Sequence, residues 1–126
     1  MYLTENFTKE EFDSADGVRM PQKVFENIIK LANQLQFVRN YTGKSIKINS
    51  GYRSPLHNMR IGGVKNSQHV RGTAADIVIS GMLPSETYEL LEKLIKSGRL
   101  AEGGLGRYRT FTHYDIRGYK ARWDKT

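Results

Sequence analysis

The sequence predicts an α+β fold in which helices pack on a small antiparallel sheet, and three observations carry that prediction. Apolar residues recur at helical spacing in two stretches, one short stretch alternates and three more have strand character, and a long glycine-bearing polar segment, Ser50 to Gly72, shows no sustained period. Taken in order, Thr8-Lys9-Glu10-Glu11 has capping-box spacing, so a short helix starts there, and Asp13 to Gly17 reads as a turn. From Pro21 to Tyr41 the residues Val24, Ile28, Leu31, Leu35 and Val38 form an apolar stripe widened by Phe25, Ile29 and Ala32. Pro21 suits the first turn of this helix and Gly43 its exit. Lys44 to Asn49 alternates, with Ile46 and Ile48 facing one way, and reads as a strand.

Ser50 to Gly72 reads as a structureless loop, and a loop of that length in so small a chain is usually functional. Strand character returns at Ala74 to Ile79. Pro84 to Ser97 is a second amphipathic helix carrying Tyr88, Leu91, Leu94 and Ile95, ended by Gly98. Two short strands follow near Leu105 to Tyr108 and Thr112 to Ile116, and then a basic tail containing Trp123.

Composition bounds the function. The 126 residues suit one domain spanning 1–126, and 38% of them are hydrophobic, enough to form a core without covalent staples. There is no cysteine, which excludes disulfides, thiolate metal sites and a cysteine nucleophile, so any metal must be held by His, Asp or Glu. No run approaches the roughly 20 apolar residues that span a bilayer. Met1 to Glu11 lacks the basic-then-apolar order of a secretory signal, so a soluble protein without a signal peptide or membrane partner is expected. The 20 Lys+Arg against 13 Asp+Glu, a net +7, favour anionic partners. No helix carries a concentrated basic face, and no aromatic-basic string of ribonucleoprotein type occurs, which argues against nucleic acid.

With cysteine absent, the chemistry falls to His69, Asp76 and His113. Two imidazoles and one carboxylate with a fourth position open is the donor set of a catalytic zinc site. Asp115 lies two residues after His113, so on a strand both project from one face, and an acid there is placed to act as general base. Spacing alone equally allows His113 and Asp115 to be a surface pair and Asp76 to cap a turn.

The string as a whole goes further: Ser50-Gly51-Tyr52-Arg53-Ser54-Pro55, Gly62-Gly63, Asn66-Ser67-Gln68-His69, Gly72, Ala74-Ala75-Asp76-Ile77 and His113-Tyr114-Asp115-Ile116-Arg117-Gly118. It resembles the zinc D-alanyl-D-alanine carboxypeptidase family, which includes phage L-alanyl-D-glutamate endopeptidases and shares a fold with the signalling domain of hedgehog proteins. The match is to the branch with a late His-x-Asp, and it also covers Phe7 to Gly17 and the long helix.

The resemblance implies a single zinc ion per chain on His69, Asp76 and His113, at the open face of the sheet. It implies that Ser67 hydrogen-bonds within the site, that Gly72 turns the loop near the metal, and that Arg53 grips a substrate carboxylate or polarises the scissile carbonyl. Arg53 as a structural ion pair pinning the loop is the alternative. Several members place the catalytic acid three residues before the last zinc histidine, and here that position is Thr110. The base is therefore expected at Asp115, with Glu102 in reserve, or Asp115 instead orients a zinc ligand. Tyr108 flanks the cleft as a substrate contact, His57 is a solvated loop residue, and Lys120, Arg122 and Lys125 form a solvated tail.

The implied function is hydrolysis of the peptide moiety of peptidoglycan, as carboxypeptidase or endopeptidase, by a monomer. It would act at the bacterial wall after phage-type release or as part of a virion, and otherwise accumulate in the cytoplasm. A zinc-containing binding module of the same fold is the competing expectation.

Overall fold

A computed structural model describes residues 1–126. In chain order it contains a 3-10 turn at Lys9–Phe12, helix α1 (Gln22–Thr42), strand β1 (Ile46–Ser50), helices α2 (Pro55–Arg60) and α3 (Gln68–Arg71), strand β2 (Ala74–Ile79), helix α4 (Pro84–Lys96), and strands β3 (Gly104–Arg107), β4 (Thr112–Asp115) and β5 (Ala121–Asp124). The sheet order is β1-β2-β4-β3-β5, antiparallel except for the parallel pair β3 and β5. The α+β class and both long helices are as the sequence predicts. No helix is long and apolar enough to cross a membrane.

The two-residue period of the strands divides the sheet into a core face and a site face. Ala75, Ile77 and Ile79 of β2, Leu105 of β3 and Tyr114 of β4 join the apolar stripes of α1 and α4 in one buried core. Their neighbours Asp76, His113 and Asp115 consequently point the other way.

Two expectations need correction. The segment from Ser50 to Gly72 is not structureless, because it holds α2 and α3, each started by a serine. Ser54 Oγ accepts a hydrogen bond from His57 N at 3.1 Å, and Ser67 Oγ accepts one from His69 N at 3.1 Å. Gly72 ends α3 in the left-handed conformation, φ 76°. Helices of six and four residues are too short to display a 3.6-residue period. The C-terminal residues, in turn, are not a free tail. Residues 121–124 add β5 to the sheet, and Arg122 forms ion pairs with Glu92 at 2.7 Å and Glu102 at 2.9 Å.

The loop is tied to the N-terminal region through Asp16. Its carboxylate accepts from Ser54 Oγ at 2.6 Å, Ser14 Oγ at 2.7 Å and Val18 N at 3.1 Å. Ser14 Oγ in turn accepts from Ser54 N, and Phe12 O accepts from Tyr52 N. The hydrogen bonds from Ser54 and then Ser14 pull the Asp16 carboxyl down to about 2.

Because that value lies below the ordinary 3.8, the stabilisation from Asp16 is full above 3.8 and lost as pH falls through about 2. Asp16→Asn should lower the melting temperature near neutral pH, read by circular dichroism. It should also shrink the further loss that the wild type suffers between pH 3.8 and about 2.

Candidate metal centre

Strand register lays the site out as a row. Ser50 pairs with Asp76, Asp76 with His113, His113 with Gly106, and Gly106 with Trp123. Residues opposite one another share a face, so Asp76 and His113 stand side by side on the face turned from the core. His69 reaches the same point from α3, and donor atoms of His69, Asp76 and His113 all lie within 4.8 Å of one another. All three residues are buried.

Each ring is held by the nitrogen that faces away from the cluster. His69 Nδ1 is 2.8 Å from Gly51 O, a group that only accepts, so Nδ1 carries the proton and Nε2 faces Asp76 Oδ1 at 3.3 Å. His113 Nε2 is 2.7 Å from Asp115 Oδ2, and its Nδ1 lies 3.1 Å from the same Asp76 oxygen. Unless a ring takes a second proton, two imidazole lone pairs and a carboxylate oxygen converge with no donor between them. A cation resolves that conflict, and this nitrogen-nitrogen-oxygen set suits zinc.

The charges follow from the same contacts. Burial opposes ionisation of Asp76, but in the metal-free protein a second ring proton turns the imidazole contacts, that of His113 first and then that of His69, into hydrogen bonds that outweigh burial and hold the carboxyl well below the usual range. Burial likewise disfavours a charged His113, yet its bonds to Asp115 and Asp76 raise it above the ordinary value.

Asp115 sits behind His113 rather than over the cleft. It is fully buried, and beyond His113 it takes hydrogen bonds from Gly104 N at 2.9 Å and from Arg117 Nε and Nη2 at 2.9 and 2.7 Å. Burial would raise its pKa, but His113 and Arg117 together hold it low. The expectation of Asp115 as general base thus meets a geometry that fits the orienting alternative, since both oxygens are already engaged away from solvent. Glu102 is no better placed, because it accepts from Arg122 Nη2 and Gly103 N and does not line the cleft.

A cleft of about 590 Å³ opens over the cluster, and Asp76 is the one carboxylate on its lining. Arg53 forms one wall, with Nη2 3.4 Å from Asp76 Oδ2, Nη1 3.4 Å from Asn58 Oδ1 and Nε 3.3 Å from Ser50 Oγ. Ser67 and Tyr108 also line it, as do Trp123 and Lys125. Thr110 is exposed in the β3–β4 turn, and His57 is half-buried on α2, outside the cluster.

Sequence reasoning gave no role to Arg117, Asn58, Gly51 or Gly104. The first stood in plain sight in the His113 to Gly118 string, two residues beyond Asp115, where strand alternation would have paired them. Gly51 and Gly104 act through backbone groups, which no side-chain pattern reveals.

A family model described as Peptidase M15 matches residues 2–115, and the chain belongs to that family. No match is found among curated proteins. Membership makes the protein a metallopeptidase by class, and His69, Asp76 and His113 are the group that could hold its metal ion.

Asp76→Ala and His69→Ala should each abolish stoichiometric zinc retention in elemental analysis after dialysis. The pH dependence has two opposite signs. In metal-free protein the raised His113 value means a stabilisation full below 6.5 and lost as pH rises through the folded value, so melting temperature should fall over that range. Zinc affinity should instead rise with pH, because metal and proton compete for the same nitrogens.

Proposed function

We propose that this Peptidase M15 member is a zinc peptidase hydrolysing the peptide part of bacterial peptidoglycan, as a D,D-carboxypeptidase or a stem-peptide or cross-link endopeptidase. The observation that carries the reaction class is the convergence of two imidazole lone pairs and one carboxylate at the base of an open cleft. The wall substrate rests on the resemblance carried by the Ser50 to Pro55, Ser67 to Asp76 and His113 to Gly118 strings.

His69, Asp76 and His113 would hold one zinc ion per chain, which when bound would supply the Lewis acidity that ionises water near neutral pH and polarises a carbonyl. Arg53 presents a permanently charged planar fork from the cleft wall. It is the group to stabilise negative charge developing on the scissile carbonyl oxygen or to hold a substrate carboxylate. Tyr108 Oη accepts from Trp123 Nε1 at 3.0 Å, which leaves its own proton to donate to substrate. Ser67 keeps α3 in place by accepting from His69 N, and so sets where the His69 ring stands. Asp115 acts through His113: it fixes the tautomer and leaves Nδ1 as the ligand atom.

Purified wild-type protein should release new amino groups from peptidoglycan, lose that activity with chelator and regain it with zinc. Stoichiometric zinc without release would favour the binding module instead. Arg53→Gln should retain zinc while kcat/KM falls by about 10²-fold, the usual cost of one oxyanion donor. Asp115→Asn should weaken zinc by about 10- to 100-fold and recover most of its kcat at saturating zinc. A loss of about 10² to 10⁴ in kcat with zinc saturating would instead return Asp115 to the role of base.

A further inference from the structure

The family match ends at Asp115, yet the site does not. Trp123, from β5, lies over His113 with ring centroids 4.9 Å apart, so the ligand ring is gripped on two sides: by Asp115 at its Nε2 edge and by the indole across it. The indole is itself fixed. Its Nε1 donates to Tyr108 Oη at 3.0 Å, Tyr108 stacks on Phe111 with centroids 4.4 Å apart, and the Arg117 guanidinium lies 5.4 Å from the Trp123 ring centroid.

Arg117 therefore serves both sides at once, since the same guanidinium holds Asp115 through Nε and Nη2. The position between His113 and Trp123 in the row across the sheet is Gly106. A Cβ there would run into Trp123 Nε1 and Cε2, and would lie 2.8 Å from Cζ2. Gly106 does not have a positive φ, and the three atoms nearest to such a Cβ all belong to the indole, so it is room for Trp123 rather than backbone conformation that calls for glycine here.

We infer that Trp123 is a positioning residue for the metal centre, admitted onto His113 by the missing side chain of Gly106 and clamped there by Tyr108 and Arg117. The inference rests on the metal reading of the site but not on the substrate. Removing the indole frees the ring to tilt away from the point where Nδ1 meets Asp76 Oδ1. Filling the gap at Gly106 does the same from beneath while leaving Trp123 in the sequence.

Trp123 is the only tryptophan in the chain, so its fluorescence reads this contact directly. The experiment is a zinc titration of metal-free protein followed by tryptophan emission and, for the Trp123 variants, by competition with a chromophoric chelator. Folding is checked by circular dichroism. Wild-type emission should change with an endpoint of one zinc per chain.

Trp123→Ala and Gly106→Ala should each lose about tenfold or more in zinc affinity, the cost typical of a group that orients a metal ligand, while Trp123→Phe retains most of it. The emission of Gly106→Ala should respond far less to zinc, its indole having left the ring. If zinc affinity in Gly106→Ala and in every folded Trp123 variant stays within about twofold of wild type, the positioning role is overturned and the metal reading survives. A wild type that binds no zinc overturns both. Neither result depends on whether peptidoglycan is cleaved, so the substrate proposal stands or falls separately.

Discussion

Three hydrogen-bond acceptors meeting at one buried point is the constraint on which the rest of this structure depends. His69 Nε2, His113 Nδ1 and Asp76 Oδ1 face each other because each ring spends its only neutral-state proton elsewhere, on Gly51 O and on Asp115. Such a convergence is unstable by itself in a low-dielectric interior, and it is maintained by what stands behind it. Asp115 remains an acceptor in full burial because it takes three bonds from Arg117, two of them from the guanidinium, and one from Gly104 N. The backbone at Gly51 that meets His69 is held close by, where Tyr52 N bonds to Phe12 O and Ser54 bonds to Ser14 and Asp16. A few hydrogen bonds remote from the cleft thus decide which atoms point into it.

The helices α1 and α4 and the strands β1 and β2 were legible because their apolar spacing is long or regular enough to show a period, and both ends of α1 carry the residues that helix ends want. The pairing of Asp76 with His113 was legible only as residue types at a family's spacing. Nothing local says that β2 and β4 are neighbours, since α4 and β3 lie between them in the chain. Helices α2 and α3 escaped because a single serine cap and one or two turns leave no periodic trace. Strand β5 escaped for a different reason. Ala121-Arg122-Trp123-Asp124 alternates apolar and charged residues over only four positions, too few to stand out among the flanking basic residues, and its partners Glu92, Glu102, Tyr108 and His113 lie on other elements.

Charge taught the same lesson. A net +7 with basic residues clustered near the C-terminus suggests a solvated cationic surface, but Arg117 and Arg122 are each consumed by carboxylates and hold the sheet's edge together. What lines the cleft is Arg53 and Lys125 around the single carboxylate of Asp76, with Arg53 paired to it, so the +7 of the whole chain is not concentrated at the site.

The parallel pairing of β3 with β5 has a consequence for how the protein is made. A chain emerging from the ribosome N-terminus first can assemble α1, β1, β2 and α4, and even bring His113 beside Asp76, before residues 121–124 exist outside the exit tunnel. Until that last strand docks, His113 lacks its indole neighbour and the cleft lacks a wall. The order of synthesis therefore leaves the metal centre unfinished until residues 121–124 have docked, after every one of His69, Asp76 and His113 is already in place.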